Sequence, residues 1–137
     1  MQEIQLSISA AEFKRLNNLY PNTGKSSNVG KRAEELVKYH FRALYPSCEF
    51  TEQNDGSDLL IKWPDGEEKI EIKGTADKSI AYNKLKVSSE DSYKLLSNGL
   101  PMYRVVSVYD RKPKIFVLKY SEDFVMESEA RWKVKKA

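Results

Sequence analysis

Two strands joined by a tight turn are predicted by one stretch of the sequence, SDLLIKWPDGEEKIEIKG, residues 57–74. Apolar residues alternate with polar ones in both arms, which is typical of strands that bury one face. Asp65-Gly66 predicts a type I′ turn between the arms, because both central residues of that turn need a positive φ. The resulting antiparallel register places Ile61 opposite Ile70 on the apolar face.

Three chemically active side chains share the other face of this hairpin. Since successive side chains of a strand alternate between faces, Asp58, Glu71 and Lys73 lie opposite the isoleucines. The predicted register pairs Asp58 with Lys73 and leaves Glu71 diagonal to Asp58, at about 7 Å between backbone positions. A slip by one residue would turn Asp58 towards the apolar face, so the apolar pattern favours this arrangement.

Two carboxylates beside a lysine can hold a divalent cation and direct a water molecule at a phosphodiester. Mg²⁺ (or Mn²⁺) prefers oxygen ligands, and Asp58, Glu71 and the carbonyl of Ile72 are the predicted ligands. In this hypothesis Lys73 orients the attacking water and neutralises developing charge. Glu34, at the edge of the buried face of a predicted helix, could bind the metal through water or hold a second ion. The alternative is a surface ion-pair ladder, worth less than about 1 kcal/mol per pair.

The remaining elements follow from spacing and capping signals. Helical periodicity and N-cap residues predict helices over residues 9–20, 28–45 and 88–97. Alternating apolar residues predict strands over 48–53, 58–63, 68–74, 102–109 and 114–120, and a short edge strand within 3–8. After the first helix, the order of helix, three strands, helix and two strands predicts an α/β (α+β) fold.

Length and composition indicate one domain in a reducing compartment. A chain of 137 residues with 40% hydrophobic and 31% charged residues is large enough for its own core. No apolar run approaches the length of a membrane span, and no signal peptide is visible. The single cysteine, Cys48, excludes an internal disulfide and a multi-cysteine zinc site, so we expect a cytoplasmic protein.

The net charge of the chain, +3, equals that of its last ten residues, which contain Arg131, Lys133, Lys135 and Lys136 and a single acid, Glu129. The expected organisation is a helical extension over 1–27, a core over 28–120 and a basic tail over 121–137. A basic tail fits modest contact with nucleic acid. The further residues proposed for weak phosphate or base contact are Lys84, Lys86, Arg104, Arg131 and Lys133, with Trp132 as a stacking residue.

The motifs also resemble those of a known enzyme superfamily. The order of elements, with Asp58 opening one strand and Glu71-Ile72-Lys73 on the next, is similar to PD-(D/E)XK nucleases. Over residues 28–120 the chain resembles the NO VEIN C-terminal-like domain family more closely. That resemblance rests on GKRAEELV at 30–37, GSDLLI at 56–61, IEIKGT at 70–75 and VSS at 87–89.

The resemblance implies a restriction-endonuclease-like αβββαβ core, in which helices flank a mixed central sheet. It implies Glu34, Asp58, Glu71 and Lys73 as the catalytic set of a Mg²⁺-dependent nuclease, a hydrolase of phosphodiester bonds, acting on nucleic acid and most often DNA. In similar domains an acidic or amide residue lies early in the second core helix, where this chain has Asp91.

Two other functions stay open from the sequence alone. One is a binding module that uses the same fold to hold DNA or a protein without turnover, as a subunit of a defence or restriction complex. The other is a purely structural subunit. Because cutting both strands of a duplex usually needs two active sites, the nuclease hypothesis predicts a homodimer or a partner protein.

Overall fold

A computed structural model of the protein describes residues 1–128 and 132–137. Its helices are α1 Ala10–Leu19, α2 Ser26–Leu44 and α3 Glu90–Ser97, with a 3₁₀ turn at Tyr82–Lys84. Its strands are β1 Gln2–Gln5, β2 Glu49–Glu52, β3 Leu59–Trp63, β4 Gly66–Gly74, β5 Lys86–Val87, β6 Met102–Val106, β7 Lys114–Leu118, β8 Phe124–Ser128 and β9 Trp132–Lys136. Helices and strands are mixed along the chain, so the predicted α/β class is confirmed.

The centre of the molecule is a six-stranded mixed sheet with the strand order β1-β7-β6-β4-β3-β2. The neighbours β4 and β6 run parallel, whereas β1–β7, β6–β7, β3–β4 and β2–β3 are antiparallel. A parallel pair needs a crossover connection, and here the chain between β4 and β6 supplies β5 and α3. Within the described residues, α2 and the two shorter helices lack the apolar length needed to cross a bilayer.

Helix α2 covers one face of the sheet. Its buried side chains recur at helical spacing from Arg32 to Phe41, as the amphipathic pattern predicts. The helix lies so close to β4 that a Cβ added at Gly74 would be 2.6 Å from the Cβ of Ala33 and 3.0 Å from the carbonyl oxygen of Val29. This contact brings the first half of α2 over the end of β4 that carries the predicted site.

The predicted turn of the central hairpin is wrong. Trp63 pairs with Gly66, so Pro64 and Asp65 form the turn, and neither Asp65 nor Gly66 has a positive φ. Proline has φ near −65° and cannot enter the first position of a type I′ turn. The indole of Trp63 covers Gly66, where an added Cβ would lie 3.2 Å from the ring, and stacks on Tyr45 with centroids 4.4 Å apart.

Moving the turn shifts the register by two residues. Leu59 is paired with Ile70, not with Ile72, and Ile61 faces Glu68, not Ile70. Because side chains alternate with a period of two, this shift leaves every residue on its predicted face. It does change the neighbours: the continued register places Asp58 opposite Glu71 instead of Lys73.

Both ends of the chain are part of the packed structure. Ser9 caps α1 by accepting a hydrogen bond from the backbone N–H of Glu12, and β1 before it is the edge strand paired with β7. Strands β8 and β9 form a three-stranded sheet with β5. Phe124 and Val134 are buried in a second hydrophobic cluster with α3. Residues 121–128 and 132–137 are therefore part of the packed fold, in the segment that the sequence predicts as a basic tail.

Candidate active site

The candidate site lies where β3 and β4 separate. The last pair of their ladder is Leu59 with Ile70, and the N–H of Asp58 still donates to the Ile70 carbonyl at 3.0 Å. Beyond that point β4 continues alone on this side, while its other edge pairs with β6. The end of β3 thus opens a fork beside the last residues of β4.

The carboxylate of Asp58 fills the fork from one side. Its Oδ2 accepts the N–H of Ile72 at 2.7 Å, in the place of a strand partner. The N–H of Glu71 points the other way and donates to Pro101 at 3.0 Å. Since the N–H and C=O of a strand residue point to the same edge, the carbonyl of Ile72 faces the fork beside Asp58. The predicted neighbourhood of Asp58 and Ile72 is therefore present.

Glu71 is the buried member of the site, with 4% of its surface exposed. Burial, and then a hydrogen bond with Asp58 and the negative charge of that residue, raise the pKa of Glu71 to about 9, while Lys73 and Ser92 act in the opposite direction. Its Oε2 has no protein hydrogen-bond partner among the described residues. Two carboxyl groups are thus held in contact, and one oxygen of the buried one has no donor in the described part of the chain.

The start of α3 contacts the same residues, and the sequence did not predict the particular contacts that it makes. Ser92 lies beside Glu71 and donates through Oγ to the carbonyl of Gly56 at 2.6 Å. Gly56 has a φ of +105°, and an added Cβ there would be 2.6 Å from the backbone of Asp91. Asp91 itself is exposed. The cap residue Ser89 was a readable signal for the helix start, but the contact of Ser92 depends on the crossover between β4 and β6.

An open cleft of about 410 Å³ joins Asp58 to α2. Glu34, Asp58 and Ile72, all predicted from the sequence, line it together. Its other lining residues are Ser27, Gly30, Lys31, Glu52 and Gln53, none of which the sequence singled out. Ser27, Gly30, Lys31 and Glu34 have the spacing of one helix face, which could have been read from the sequence once Glu34 was placed at a site.

The donor set suits a hard divalent cation in kind. Carboxylate and carbonyl oxygens are the ligands that Mg²⁺ and Mn²⁺ prefer, and no residue described by the structure donates a hydrogen bond to Oε2 of the buried Glu71. In residues 1–128 and 132–137 no three His, Cys, Asp or Glu side chains are close enough together to hold a metal ion. Asp58 and Glu71 therefore form a two-carboxylate site, and a direct bond from Glu34 to the same ion stays a prediction.

Lys73 and Arg104 are neighbours across β4 and β6. Arg104 is 2% exposed, and its guanidinium donates to the carbonyls of Ile80 at 2.8 Å and Gly74 at 2.9 Å. Arg104 therefore holds the loop after β4 and cannot contact a phosphate on the surface, contrary to the prediction. Lys73 is half-buried, and its charge acts on the carboxyl of Glu71.

The other predicted nucleic-acid contacts lie on the second sheet or next to it. Lys84 forms an ion pair with Asp77 at 2.8 Å, and Lys86 pairs across the strands with Lys133. Trp132 stacks on Tyr93 with ring centroids 3.7 Å apart. Arg131 lies outside the described residues. Nucleic-acid contact by these side chains stays a prediction.

Known proteins add no independent interpretation of this site. Neither a protein-family model, nor a curated protein, nor a solved structure matches the chain. The chemistry of the site therefore has to follow from its own side chains: a buried carboxyl in contact with a second one that lines the cleft, a lysine beside it, and a glutamate on the facing helix.

Proposed function

We propose that this protein is a divalent-metal-dependent phosphodiesterase that cleaves nucleic acid, with DNA as the expected substrate. One observation carries the proposal: the buried carboxyl of Glu71 is held against Asp58, and one of its oxygens has no hydrogen-bond partner among the described residues. Buried polar groups are almost always hydrogen-bonded, and two adjacent carboxylates repel each other. A cation bound between them removes both defects.

The residues that would hold the cation are Asp58, Glu71 and the carbonyl of Ile72, with water in its other positions. When bound, Mg²⁺ or Mn²⁺ acidifies a water molecule and neutralises charge on the scissile phosphate. The contact from the N–H of Ile72 orients the Asp58 carboxylate before any ligand arrives. Such preorganisation is the larger part of what a protein contributes to phosphoryl transfer.

Lys73 and Glu34 complete the proposed machinery from two directions. Lys73, on the same strand as Glu71, donates to the attacking water or to a phosphate oxygen and so stabilises developing negative charge. Glu34 lines the cleft from α2, and its proposed role is to accept a hydrogen bond from a water molecule bound there. The cleft is lined by three carboxylates, those of Glu34, Glu52 and Asp58, so an anionic substrate needs a cation to enter.

The order of elements supports the same proposal. Helix α2, strands β2, β3 and β4, helix α3 and strand β6 occur in the order of the αβββαβ core of the PD-(D/E)XK nucleases that the sequence resembles, with the 3₁₀ turn and β5 between β4 and α3. Glu71 and Lys73 lie on β4, Asp58 directly precedes β3, and Glu34 lies on α2; their catalytic roles are part of the proposal. The fold itself does not establish an activity, because one fold can serve several functions.

A second candidate function follows from the same carboxyl pair. A proton on Glu71 also satisfies a hydrogen bond to Asp58, and the raised pKa of Glu71 means that this proton is held at neutral pH. A site satisfied by a proton needs no metal and no turnover. This would suit a module that binds nucleic acid or protein and does not cleave.

Nuclease assays on plasmid, linear duplex, single-stranded DNA and RNA, with Mg²⁺, Mn²⁺ or EDTA, test the proposal. Asp58→Asn and Lys73→Ala should each lower the cleavage rate by about 100-fold or more. The controls Asp65→Asn and Lys62→Ala change exposed residues of the same hairpin and should leave the rate unchanged. Binding of substrate without cleavage under every condition would favour the second candidate, and cleavage that survives Asp58→Asn would contradict the proposed site.

The proposed site also bears on assembly. It contains one set of catalytic residues per chain, and cutting both strands of a duplex at one place usually takes two. We therefore propose a homodimer or a partner protein, and light scattering in the presence of duplex DNA gives the mass that decides. A protein that remains a monomer and converts supercoiled plasmid only to the nicked form would contradict the proposed dimer or partner complex. The same result would still support a hydrolytic site in each chain.

A further inference from the structure

Gly30 differs from every other glycine in the chain. The sequence has six glycines. Five of them have a local reason to be glycine, either a positive φ or a neighbour within 4 Å of an added Cβ: Gly24, Gly56, Gly66, Gly74 and Gly99. Gly30 has neither, since its φ is helical and an added Cβ would meet no atom within 4 Å outside its own helix.

The helix itself also gives no reason for this glycine. Gly30 is the fifth residue of α2, inside the helix and past its capping positions. Glycine is the least favourable residue in a helix interior after proline, because its backbone loses the most freedom on folding. A residue that breaks a local rule without a compensating contact points to function.

The open side of Gly30 faces the cleft of the proposed active site. Gly30 lines it together with Glu34 one turn further along α2 and with Asp58 and Ile72 from the sheet. A side chain at this position would narrow the cleft where it runs towards Asp58. A missing Cβ lets another chain approach the helix closely, which is one of the established uses of glycine.

Lys31, next to Gly30, supplies a positive charge that suits an anionic ligand. Among the described residues that line the cleft, it is the one cation, set against three carboxylates. It is exposed, and no ion pair or hydrogen bond joins its side chain to another residue in the described part of the chain. A free lysine beside an open helix surface suits a phosphate group next to the one bound at the carboxylates.

We propose that the sugar–phosphate backbone of a nucleic-acid substrate crosses α2 at Gly30, with Lys31 holding the phosphate beside the scissile one. This inference rests on the proposed function and names the substrate path of that same site. Gly30 is thus a specificity-determining position, because glycine lowers the stability of the helix but leaves the path open. Substitutions there should raise the stability of the protein while they weaken its binding of nucleic acid.

The test measures binding and stability on the same variants. Fluorescein-labelled single-stranded and duplex oligonucleotides are titrated by anisotropy with Ca²⁺ in place of Mg²⁺, and Tm is measured in parallel. Gly30→Ala should raise Tm by about 2–4 °C, and Gly30→Leu should weaken binding about tenfold or more through steric overlap. Ala43→Leu adds comparable bulk at an exposed position of α2 outside the cleft and should leave binding unchanged.

Lys31→Ala separates the charge from the shape. It should weaken binding of all sequences alike and make the slope of log affinity against log salt shallower by about one. Lys119→Ala, at an exposed lysine that lines a different hollow, is the matched control. The arm that binds more tightly, single-stranded or duplex, identifies the form of substrate that the path accepts.

The results distinguish this inference from the function on which it rests. If the parent protein cleaves and binds, and Gly30→Leu binds equally well, the path over α2 is refuted and the nuclease proposal stands. If Gly30→Leu lowers Tm, the position is not open and the inference fails as well. If the parent protein neither binds nor cleaves nucleic acid, both proposals fail together.

Discussion

Replacing Glu71 by glutamine should make the protein more stable, and increasingly so as the pH rises. The raised pKa of Glu71 comes first from burial and then from the hydrogen bond and charge of Asp58. In the unfolded chain the same group has an ordinary pKa near 4.5. Between these two values the folded protein binds a proton that the unfolded chain has lost, so its free energy of unfolding falls as pH rises. Glutamine cannot ionise, so the substitution removes this loss of stability at higher pH.

The structure sets the size of the effect. A shift in pKa corresponds to about 1.4 kcal/mol per unit, so the interval from 4.5 to about 7.5 limits the destabilisation to roughly 4 kcal/mol. Local relaxation and water lower this limit, and we expect the advantage of Glu71→Gln to grow by about 2–3 kcal/mol between about pH 5 and about pH 7.5. Replacing the carboxyl by an amide also changes the free energy of unfolding by about 1 kcal/mol in either direction through altered hydrogen bonds. This contribution is the same at every pH and cancels in the comparison between pH values.

Urea denaturation in EDTA at several pH values measures this difference directly. Glu67→Gln is the matched control: it removes an exposed carboxyl from the same strand. Its difference from the parent protein at each pH is the baseline against which the Glu71→Gln series is compared. Repeating the series with Mg²⁺ or Mn²⁺ should stabilise the parent protein by about 1.4 kcal/mol for each tenfold excess over the dissociation constant, and should stabilise Glu71→Gln much less.

A flat difference between Glu71→Gln and the parent protein from acid to neutral pH would refute the reasoning. Glu71 would then ionise in the folded protein as easily as in water, and the buried contact with Asp58 could not exist as described. If the stability advantage of Glu71→Gln depends on pH but divalent ions do not stabilise the parent protein, the result supports the carboxyl pair and contradicts the metal site. The two readouts therefore test the geometry and the proposed chemistry separately.

Three further substitutions test the packing around the site, each by urea denaturation. Gly74→Ala should destabilise the protein by about 1–3 kcal/mol, because the new methyl would lie 2.6 Å from the Cβ of Ala33. Ser89→Ala should cost about 1 kcal/mol through loss of the N-cap of α3, and Ser89→Asp should restore most of it. Arg104→Lys should cost about 1–3 kcal/mol, because an ammonium cannot hold both carbonyls that the guanidinium reaches.

The helices of this protein could be predicted closely because their signals are local. The cap at Ser9 and the apolar stripe of α2 were readable in the sequence, and both are present in the structure. The buried arginines could not be predicted in the same way. Arg32 and Arg104 are buried because backbone carbonyls of distant segments accept their hydrogen bonds, those of Val108 and Ile80 among them. Such partners come together only in the folded chain.

The second sheet was missed for a related reason. Strand β9 alternates weakly, with Trp132 and Val134 facing the second hydrophobic cluster, but the lysines between them suggested a solvated tail. A charged outer face does not prevent a strand from burying its inner face when another strand is present. That partner, β5, has two residues, and so short a segment carries almost no periodic signal of its own.

The register of the central hairpin shows why the site could be predicted better than the turn that builds it. A shift by two residues preserves the face of each side chain, so Asp58, Glu71 and Lys73 share one face in the predicted and in the observed register. The shift nevertheless alters the chemistry. Opposite Lys73, Asp58 would have formed an ion pair that is complete without a ligand, as in a surface ladder. Opposite Glu71, it faces a second acid whose buried Oε2 has no donor within residues 1–128 and 132–137. That pair is stable only with a proton or a cation between its members, and a fold that keeps such a pair beside an open cleft is poised to bind one.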